Sequence, residues 1–445
     1  MNSMADNLNL MTNSQFSEYK KNVMLGGGTP GPCLVGGKGI ELFDSDGKRY
    51  IDCTSQSWAM YLGFANDEIR ETVNHHMVHM SHIHQGFHTP ARYALAHKLA
   101  SIAPKNLNRV SFSVGGGPSI EAAMKIALKN VDKAKTFITL WDAYHGTTFG
   151  VMAASWISGK PSGKYLGSRN FLGCINTNFL KTPNPYCYRC PFGKHYDSCG
   201  LQCAEHLRDT ITHGAIGPVA GVIVEPIQAS GGQILMPPGY LKRVREICDE
   251  FNTLLIYDEI QTYCRIGEFF AADYYDVEPD ILVLGKGFGA GFPISAILVH
   301  DRLEGFEMSE VEELHTFANN SVSQVAALKQ IEIIERDNIL ENTRNVGGYI
   351  ASQLKELQKT YGEIGDIRQA GLHIGVELIE GSGAELDADK SKRIKSVAME
   401  YGLILGTGGF RKHLIKIKPP LITTKEQADE IISRFDATLR HVLRG

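Results

Sequence analysis

The feature that most constrains the fold of this chain is a series of short apolar segments that alternate with helical ones. The apolar segments cover residues 136–140, 220–226, 253–259, 280–286 and 295–299. Between two of them, residues 241–251 have the apolar spacing of a helix. Strands that are apolar along their whole length are typical of a parallel sheet covered by helices on both faces. The sequence therefore predicts an α/β fold with its chemistry beyond the carboxyl ends of the strands.

The flanking regions have a different pattern. Residues 40–52 have the pattern of two short strands around an Asp-Gly turn, and 67–103 is helical in pattern. After about residue 330 the chain changes to long amphipathic helices and a short alternating segment at 372–379. We predict an N-terminal segment (1–65) that is part of a small domain, a large domain (66–330) and a C-terminal small α+β domain (331–445).

Composition narrows the classes of function. In 445 residues, 45 Lys and Arg against 49 Asp and Glu give a net charge of −4 and no basic field for nucleic acid. Nine cysteines are too few for a disulfide-built secreted scaffold. No window approaches the roughly 18 apolar residues of a membrane span, and the first residues lack a signal-peptide pattern. We expect a soluble cytoplasmic protein that binds neither nucleic acid nor membranes.

A run of three glycines, Gly115 to Gly117, precedes a helical pattern that begins at or near Pro118. A helix N-terminus after a glycine turn presents free backbone N–H groups and the positive end of the helix dipole, which suits a phosphate. The run fits neither the dinucleotide nor the P-loop fingerprint. A tight turn between two elements is the structural alternative.

Two charged residues lie at the ends of apolar strands. Asp258 ends one strand, where a buried carboxylate needs a partner such as a protonated ring nitrogen. Lys286 ends another, where desolvation would lower the pKa of its amine and make it a nucleophile toward an aldehyde. Taken singly, a helix-capping carboxylate and a snorkelling lysine explain them equally well.

As an ordered set, these motifs are far more specific. The glycine turn, Tyr-His-Gly at 144–146, Glu-Pro at 225–226, Asp258 with Gln261, Lys286 and His-Thr-Phe at 315–317 follow one another along the chain. In this order and spacing they resemble the class III (ω-aminotransferase-like) family of fold-type I enzymes. The resemblance runs from about residue 36 to the C-terminus. It implies a large domain with a mainly parallel seven-stranded sheet, and pyridoxal 5′-phosphate as cofactor.

The resemblance also implies roles for individual residues around the cofactor ring. Lys286 would form the Schiff base with the cofactor and then move a proton between the substrate Cα and the cofactor C4′. Asp258 would pair with the pyridinium nitrogen, so that the ring can absorb the electrons of the carbanion. Tyr144 would stack on the ring, and Gln261 would approach its hydroxyl oxygen.

Further roles concern the phosphate and the surrounding shell. Gly116 and Gly117 would donate backbone N–H groups to the phosphate. Thr316 would reach a phosphate in the neighbouring subunit, which implies a homodimer with active sites at the subunit interface. Glu225 would lie on the substrate side or support the site by hydrogen bonds, and His145 is either structural or part of the cofactor site.

Two groups of residues depart from the family pattern. Gly117 and Pro118 stand where a hydroxyl residue and Glu are common, so the phosphate would lose a hydroxyl and keep its N–H donors. The arginine that grips an α-carboxylate is replaced by Lys416, and its acidic partner by Ser230. We therefore expect a small-molecule amine donor without a standard α-carboxylate, such as an amino sugar, a diamine or another primary amine, with a carbonyl acceptor. Arg411 nearby is the residue that would instead retain an α-amino acid.

Other reactions on the same scaffold stay open. Ser230 also fits a dialkylglycine-type decarboxylase, but a steering glutamine is replaced by Ser57, with Gln56 beside it and Trp58 following on the substrate side. A racemase or epimerase would use the same lysine to remove and return the Cα proton. A catalytically silent binding module is the remote alternative. The presence of Lys286 argues against it, because a silent protein has no need of a Schiff-base lysine.

The last feature is a group of cysteines in a Pro-containing loop: Cys187, Cys190, Cys199 and Cys203. Four thiolates at related spacings hold structural zinc in other proteins, although this spacing is shorter than that of most zinc ribbons. Disulfides or free thiols are the alternatives. We predict no metal in the active site.

Overall fold

The computed structural model of the protein describes residues 13–24, 31–155, 178–307, 312–380 and 385–445. The strands, numbered in chain order, are β1 Leu34–Lys38, β2 Glu41–Asp44, β3 Arg49–Asp52, β4 Arg109–Ser113, β5 Thr136–Leu140, β6 Phe179–Thr182, β7 Val219–Val224, β8 Ile227–Gln228, β9 Ile234–Leu235, β10 Leu254–Asp258, β11 Ile281–Leu284, β12 Ser295–Val299, β13 Ile364–Ala370, β14 His373–Leu378, β15 Leu403–Ile404, β16 Gly406–Gly408 and β17 Leu414–Ile417.

The α-helices are numbered in the same way. They are α1 Asn13–Tyr19, α2 Ser55–Trp58, α3 Asp67–Met77, α4 Pro90–Ile102, α5 Gly116–Asn130, α6 Phe149–Met152, α7 Gln202–Asp209, α8 Ala229–Gly232, α9 Tyr240–Glu250, α10 Ala271–Tyr275, α11 Ser321–Arg336, α12 Ile339–Thr360, α13 Ala388–Glu400 and α14 Lys425–Arg444. No helix in the described ranges combines the length and the apolar character that crossing a membrane requires.

The large sheet has seven strands in the order β4-β12-β11-β10-β7-β5-β6. The neighbours from β11 to β6 pair in parallel, whereas β12 runs antiparallel to both β11 and β4. The predicted mainly parallel seven-stranded sheet is thus confirmed. The five apolar segments all form strands of this sheet, and β4 and β6, which are less apolar, complete its edges.

Both faces of the large sheet are buried. On one face Ile223, Ile256 and Val283 pack in the cluster that contains Ile120 and Ala127 of α5. On the other, alternate residues such as Leu255, Leu282 and Leu284 join the main apolar core. Because both faces are apolar, the polar residues of these strands are left at the strand ends, where the candidate site lies.

Besides the two-stranded sheet of β8 and β9, two four-stranded sheets lie outside the large one. The predicted hairpin at 40–52 forms β2 and β3, and β3 pairs in parallel with β15, so the N-terminal segment and the C-terminal region share one sheet. The alternating segment at 372–379 forms β14, which pairs with β13 and β17. The division into domains, with boundaries at residues 65 and 330, stays a prediction.

Candidate active site

A cavity of about 330 Å³ lies at the carboxyl ends of the parallel strands. Its lining comes from the turn before α5 and from the residues that follow β5, β7, β10 and β11. Eight of the residues singled out in the sequence line it together: Gly116, Gly117, Tyr144, His145, Glu225, Asp258, Gln261 and Lys286. The size is that of a small-molecule site.

The glycine turn forms one wall of the cavity as a bare helix N-terminus. The helix α5 begins at Gly116, and its N-cap residue Gly115 provides no side-chain cap. A Cβ on Gly116 would lie 2.7 Å from Ile260 Cδ1, and one on Gly117 would lie 3.2 Å from Thr148. A side chain at Gly116 would therefore force Ile260 to move, whereas one at Gly117 would need only a small shift of Thr148. The first-turn N–H groups, which have no acceptor within the helix, stay available to an anion.

Asp258 is held by hydrogen bonds at the end of β10. The carboxylate is only 5% exposed, and it accepts the Ile260 backbone N–H at Oδ1 (3.2 Å). His145 Nδ1 lies 2.8 Å from Asp258 Oδ2. These two contacts fix the orientation of the carboxylate and leave lone pairs free for a donor in the cavity.

Glu225 connects two backbone segments of the site. It follows β7 and accepts the Tyr144 N–H at Oε1 (2.9 Å) and the Ala229 N–H at Oε2 (3.1 Å). Burial raises the pKa of its carboxyl to about 7, and the neighbouring His145 opposes this shift. The geometry gives Glu225 a supporting position, because both oxygens hold the backbone around Tyr144 and the Ser230 segment.

Lys286 stands in a left-handed backbone conformation two residues after the end of β11, with φ of +47°. Such a conformation is unfavourable for a residue with a Cβ and persists only where the surroundings enforce it. Here Gly287 packs so closely that a Cβ on it would lie 2.0 Å from the Tyr61 ring. Desolvation lowers the pKa of the Lys286 amine, against the opposite effect of Asp258 and Glu225.

The substrate-side residues are divided between the interior and the surface. Trp58 and Lys416 meet: the Lys416 ammonium lies 4.7 Å from the centre of the Trp58 ring. Ser230 is half-buried, and its carbonyl accepts the Gly409 N–H at 3.0 Å. Arg411 and Thr316 are exposed. None of these five residues is among those that line the cavity, so the predicted substrate contacts lie beside it.

Comparison with known proteins places this arrangement in a family. The profile of class III aminotransferases matches residues 29–439. The chain belongs to the class III aminotransferase family. It is 31% identical to the taurine–pyruvate aminotransferase of Bilophila wadsworthia, covering 90% of this chain and 91% of that one. It is also 31% identical to the leucine/methionine racemase of Thermococcus litoralis, with 92% and 91% of the two chains covered.

The fold agrees with this family membership. An aminotransferase structure from Bacillus anthracis superposes with a TM-score of 0.86 at 27% identity, over 97% of this chain and all of the other. The chain is therefore a fold-type I enzyme, and the cofactor of this family is pyridoxal 5′-phosphate. The cavity fits it: the bare N-terminus of α5 suits the phosphate, Asp258 offers lone pairs to a ring N–H, and Lys286 presents an amine to an aldehyde.

Two residues of this aminotransferase escaped the sequence analysis. Lys418 is fully buried; its Nζ donates to Gln261 Oε1 at 3.2 Å and lies 3.0 Å from His373 Nε2. A signal was present, because Lys416 and Lys418 are two apart in an otherwise apolar run and so lie on one side of an extended chain. His373, a single histidine at the start of β14, had no such signal.

The cysteine loop lies at a separate place. Cys187, Cys190, Cys199 and Cys203 are free thiols that surround a small enclosed cavity of about 20 Å³. Burial raises the pKa of Cys203 to about 12. Over the described ranges, no group of three or more His, Cys, Asp or Glu side chains is arranged to hold a metal ion.

Proposed function

We propose that this class III aminotransferase accepts an amine whose end group is not an α-carboxylate held by an arginine, and passes the amino group to a carbonyl acceptor by a ping-pong reaction. The observation that carries the proposal is the replacement on the substrate side: Lys416 lies there buried against Trp58, and Ser230 takes the place of an acid. One relative is named for taurine, an amine with a sulfonate and no carboxylate.

The roles of the lining residues follow from their positions. When bound, the cofactor supplies an aldehyde for the amine and a ring that withdraws electrons from the substrate Cα. Lys286 Nζ, whose pKa is lowered by desolvation, removes the Cα proton and delivers it again. Asp258, oriented by His145, holds a proton on the ring nitrogen. Gly116 and Gly117 bind the phosphate through N–H groups, and Tyr144 and Gln261 orient the ring.

A homodimer is part of the proposal. Thr316 is exposed in the single chain, beside Leu314 and Phe317, which are 50% and 60% exposed. Phe87, also 60% exposed, adds to the large apolar side chains exposed on the monomer. Apolar side chains of this size at the surface are typical of an interface, and burying them against a second subunit would allow Thr316 to reach the phosphate there. A cytoplasmic location stays a prediction.

A spectral titration tests the reaction. The visible absorbance of the cofactor-loaded enzyme is recorded while single amines are added without an acceptor. Stoichiometric conversion to the aminated cofactor by one amine, with release of its carbonyl product, is the expected result. No conversion by any amine would contradict the proposal.

A racemase is the second candidate function, and the similarity to the leucine/methionine racemase favours it. It would give a different result in the same experiment. A racemase would leave the cofactor absorbance unchanged while the substrate exchanges its α-hydrogen for deuterium. Mass spectrometry of an amino acid incubated in deuterium oxide distinguishes the two reactions.

A further inference from the structure

Two buried lysines beside Trp58, on the substrate side of the site, have no acid of their own in the described part of the chain. Lys416 is 2% exposed and Lys418 is fully buried, and their ammonium groups lie 4.7 and 4.9 Å from the centre of the same ring, that of Trp58. Within the described ranges, neither lysine forms a salt bridge. Lys416 Nζ forms no hydrogen bond there, whereas Lys418 Nζ contacts the uncharged Gln261 and His373 Nε2. Burial makes an unpaired ammonium costly, so these amines lose their protons readily, and a bound anion would stabilise their charged forms.

A third buried basic side chain, that of Arg265, acts on the Lys418 amine. Arg265 is fully buried, and its guanidinium donates to the Pro419 carbonyl (2.9 Å) and to Ser55 Oγ (2.9 Å). These two partners are neutral, and the charge of the buried Asp52 acts on Arg265, which joins two segments of the site. Glu225 is the acid whose charge acts on Lys416, and it is already occupied with two backbone N–H groups.

The Trp58 side chain is held in place by α2, whose backbone is not a regular α-helix but a left-handed turn. Four successive residues, Ser55 to Trp58, have φ of +43°, +43°, +63° and +68°. The start of the turn is fixed by two hydrogen bonds: Asp52 Oδ2 accepts the Gln56 N–H at 3.0 Å, and Ser55 Oγ donates to the Lys418 carbonyl at 2.8 Å. At its end, the Trp58 N–H donates to the Thr54 carbonyl at 2.8 Å. Strain of this kind is found where a side chain must be preorganised, and here it presents Trp58 to both lysines.

The chemistry of these groups selects the shape of the anion. Two ammonium groups are point charges with donors that rotate, unlike the planar fork of arginine that matches a flat carboxylate. Oxygens that diverge from one atom, as in a sulfonate or a phosphonate, can meet two such donors from different directions. The second ammonium of a diamine would instead disfavour the charged forms of Lys416 and Lys418.

We propose that Trp58, Lys416 and Lys418 form a subsite for a compact tetrahedral oxyanion, a sulfonate or phosphonate, on the end of the amine substrate. This inference rests on the proposed function, because it names the end group of that donor. The carbon chain between amine and oxyanion would lie along Trp58, and the amine would face Lys286.

The test uses anions that have no amine, so that binding is measured without any reaction. Calorimetric titration of the cofactor-loaded enzyme with ethanesulfonate, ethylphosphonate and propionate should show at least one tetrahedral anion binding about tenfold or more tightly than propionate. K416M and K418M should each weaken that binding about 10- to 100-fold, as expected for lost hydrogen bonds to a charged group. K355M, which removes an exposed lysine on α12, should have no effect.

A second readout follows from the protonation of the subsite. Desolvation lowers the pKa of Lys416 to about 7 and that of Lys418 well below its usual value. The groups that act on these lysines are Lys286, Arg265, Glu225 and His373. An anion favours the charged amines, so its binding at pH 8 should take up protons, seen as heats that change with the ionisation enthalpy of the buffer. K416M should reduce this uptake.

The outcomes separate this inference from the proposed function. Equal or tighter binding of propionate, or unchanged affinity in both K416M and K418M, overturns the subsite. Loss of affinity in R411M but in neither lysine variant would also overturn it. Visible absorbance and melting temperature confirm that each variant is folded and loaded. If the tetrahedral anions bind as expected and no amine converts the cofactor, the subsite stands and the proposed reaction fails.

Discussion

Removing the His145 imidazole should slow catalysis without a matching loss of substrate binding. His145 and Asp258 are 2% and 5% exposed, and their side chains are 2.8 Å apart. In H145A the Asp258 carboxylate keeps the Ile260 N–H and loses its side-chain donor. A hydrogen bond to a buried charged group contributes about 1.5–3 kcal/mol. Since each 1.36 kcal/mol is tenfold in rate, kcat should fall about 10- to 100-fold if Asp258 acts on the ring nitrogen during the reaction.

The assay is steady-state kinetics with the donor found by spectral titration, and H145N is the matched control. The amide of asparagine can place a donor near the position of His145 Nδ1, so H145N should recover part of the lost kcat, with KM changed less than kcat in both variants. If H145A keeps kcat within twofold of the parent enzyme, or if KM rises while kcat is unchanged, the reasoning about Asp258 is refuted.

Three further predictions concern the lysine, the glycine turn and Glu225. K286A should abolish turnover and leave the melting temperature of the cofactor-free protein nearly unchanged; retained turnover would remove Lys286 as the base. G116V should weaken cofactor binding by about tenfold or more in equilibrium dialysis, because its Cβ would lie 2.7 Å from Ile260 Cδ1. Glu225 has a folded-state pKa of about 7 against 4.5 for the ordinary carboxyl, so its contribution should reduce stability as pH rises from 4.5 to 7. E225Q should flatten the pH–stability curve between pH 4.5 and 7. An unchanged slope in E225Q would contradict the raised pKa of Glu225 in the folded protein.

The central fold was predictable because its signal is local and repeated. The five apolar segments became strands with ends shifted by at most two residues, since full burial on both faces leaves few other uses for such runs. The edges were not predictable in the same way. The edge strands β4 and β6 are only partly buried and have correspondingly weaker apolar patterns. The antiparallel direction of β12 depends on how the chain crosses the sheet.

The residues of the candidate site also fall into two groups, those predictable from local patterns and those that depend on distant contacts. Gly116, Asp258 and Lys286 follow strands or begin a helix, so their convergence could be inferred from the rule for strand ends. His145 was left without a defined role, because its contact with Asp258 joins residues 113 positions apart. Lys418 was missed altogether, although the alternation of residues in an extended segment pairs it with Lys416.

The turn from Ser55 to Trp58 shows why the structure of the substrate side could not be predicted from the sequence. None of its four residues is glycine, yet all have positive φ, and the left-handed conformation costs about 1–2 kcal/mol for each such residue. Its stability therefore comes from elsewhere: Asp52 accepts the Thr54 and Gln56 N–H groups, and Arg265 and the Lys418 carbonyl bind Ser55. These partners lie up to 363 positions away along the chain. A local pattern cannot indicate a conformation that only distant contacts enforce. Because Lys418 contributes both its carbonyl to the turn and its ammonium to the Trp58 face, the position of the ring and the charge beside it are set by the same segment.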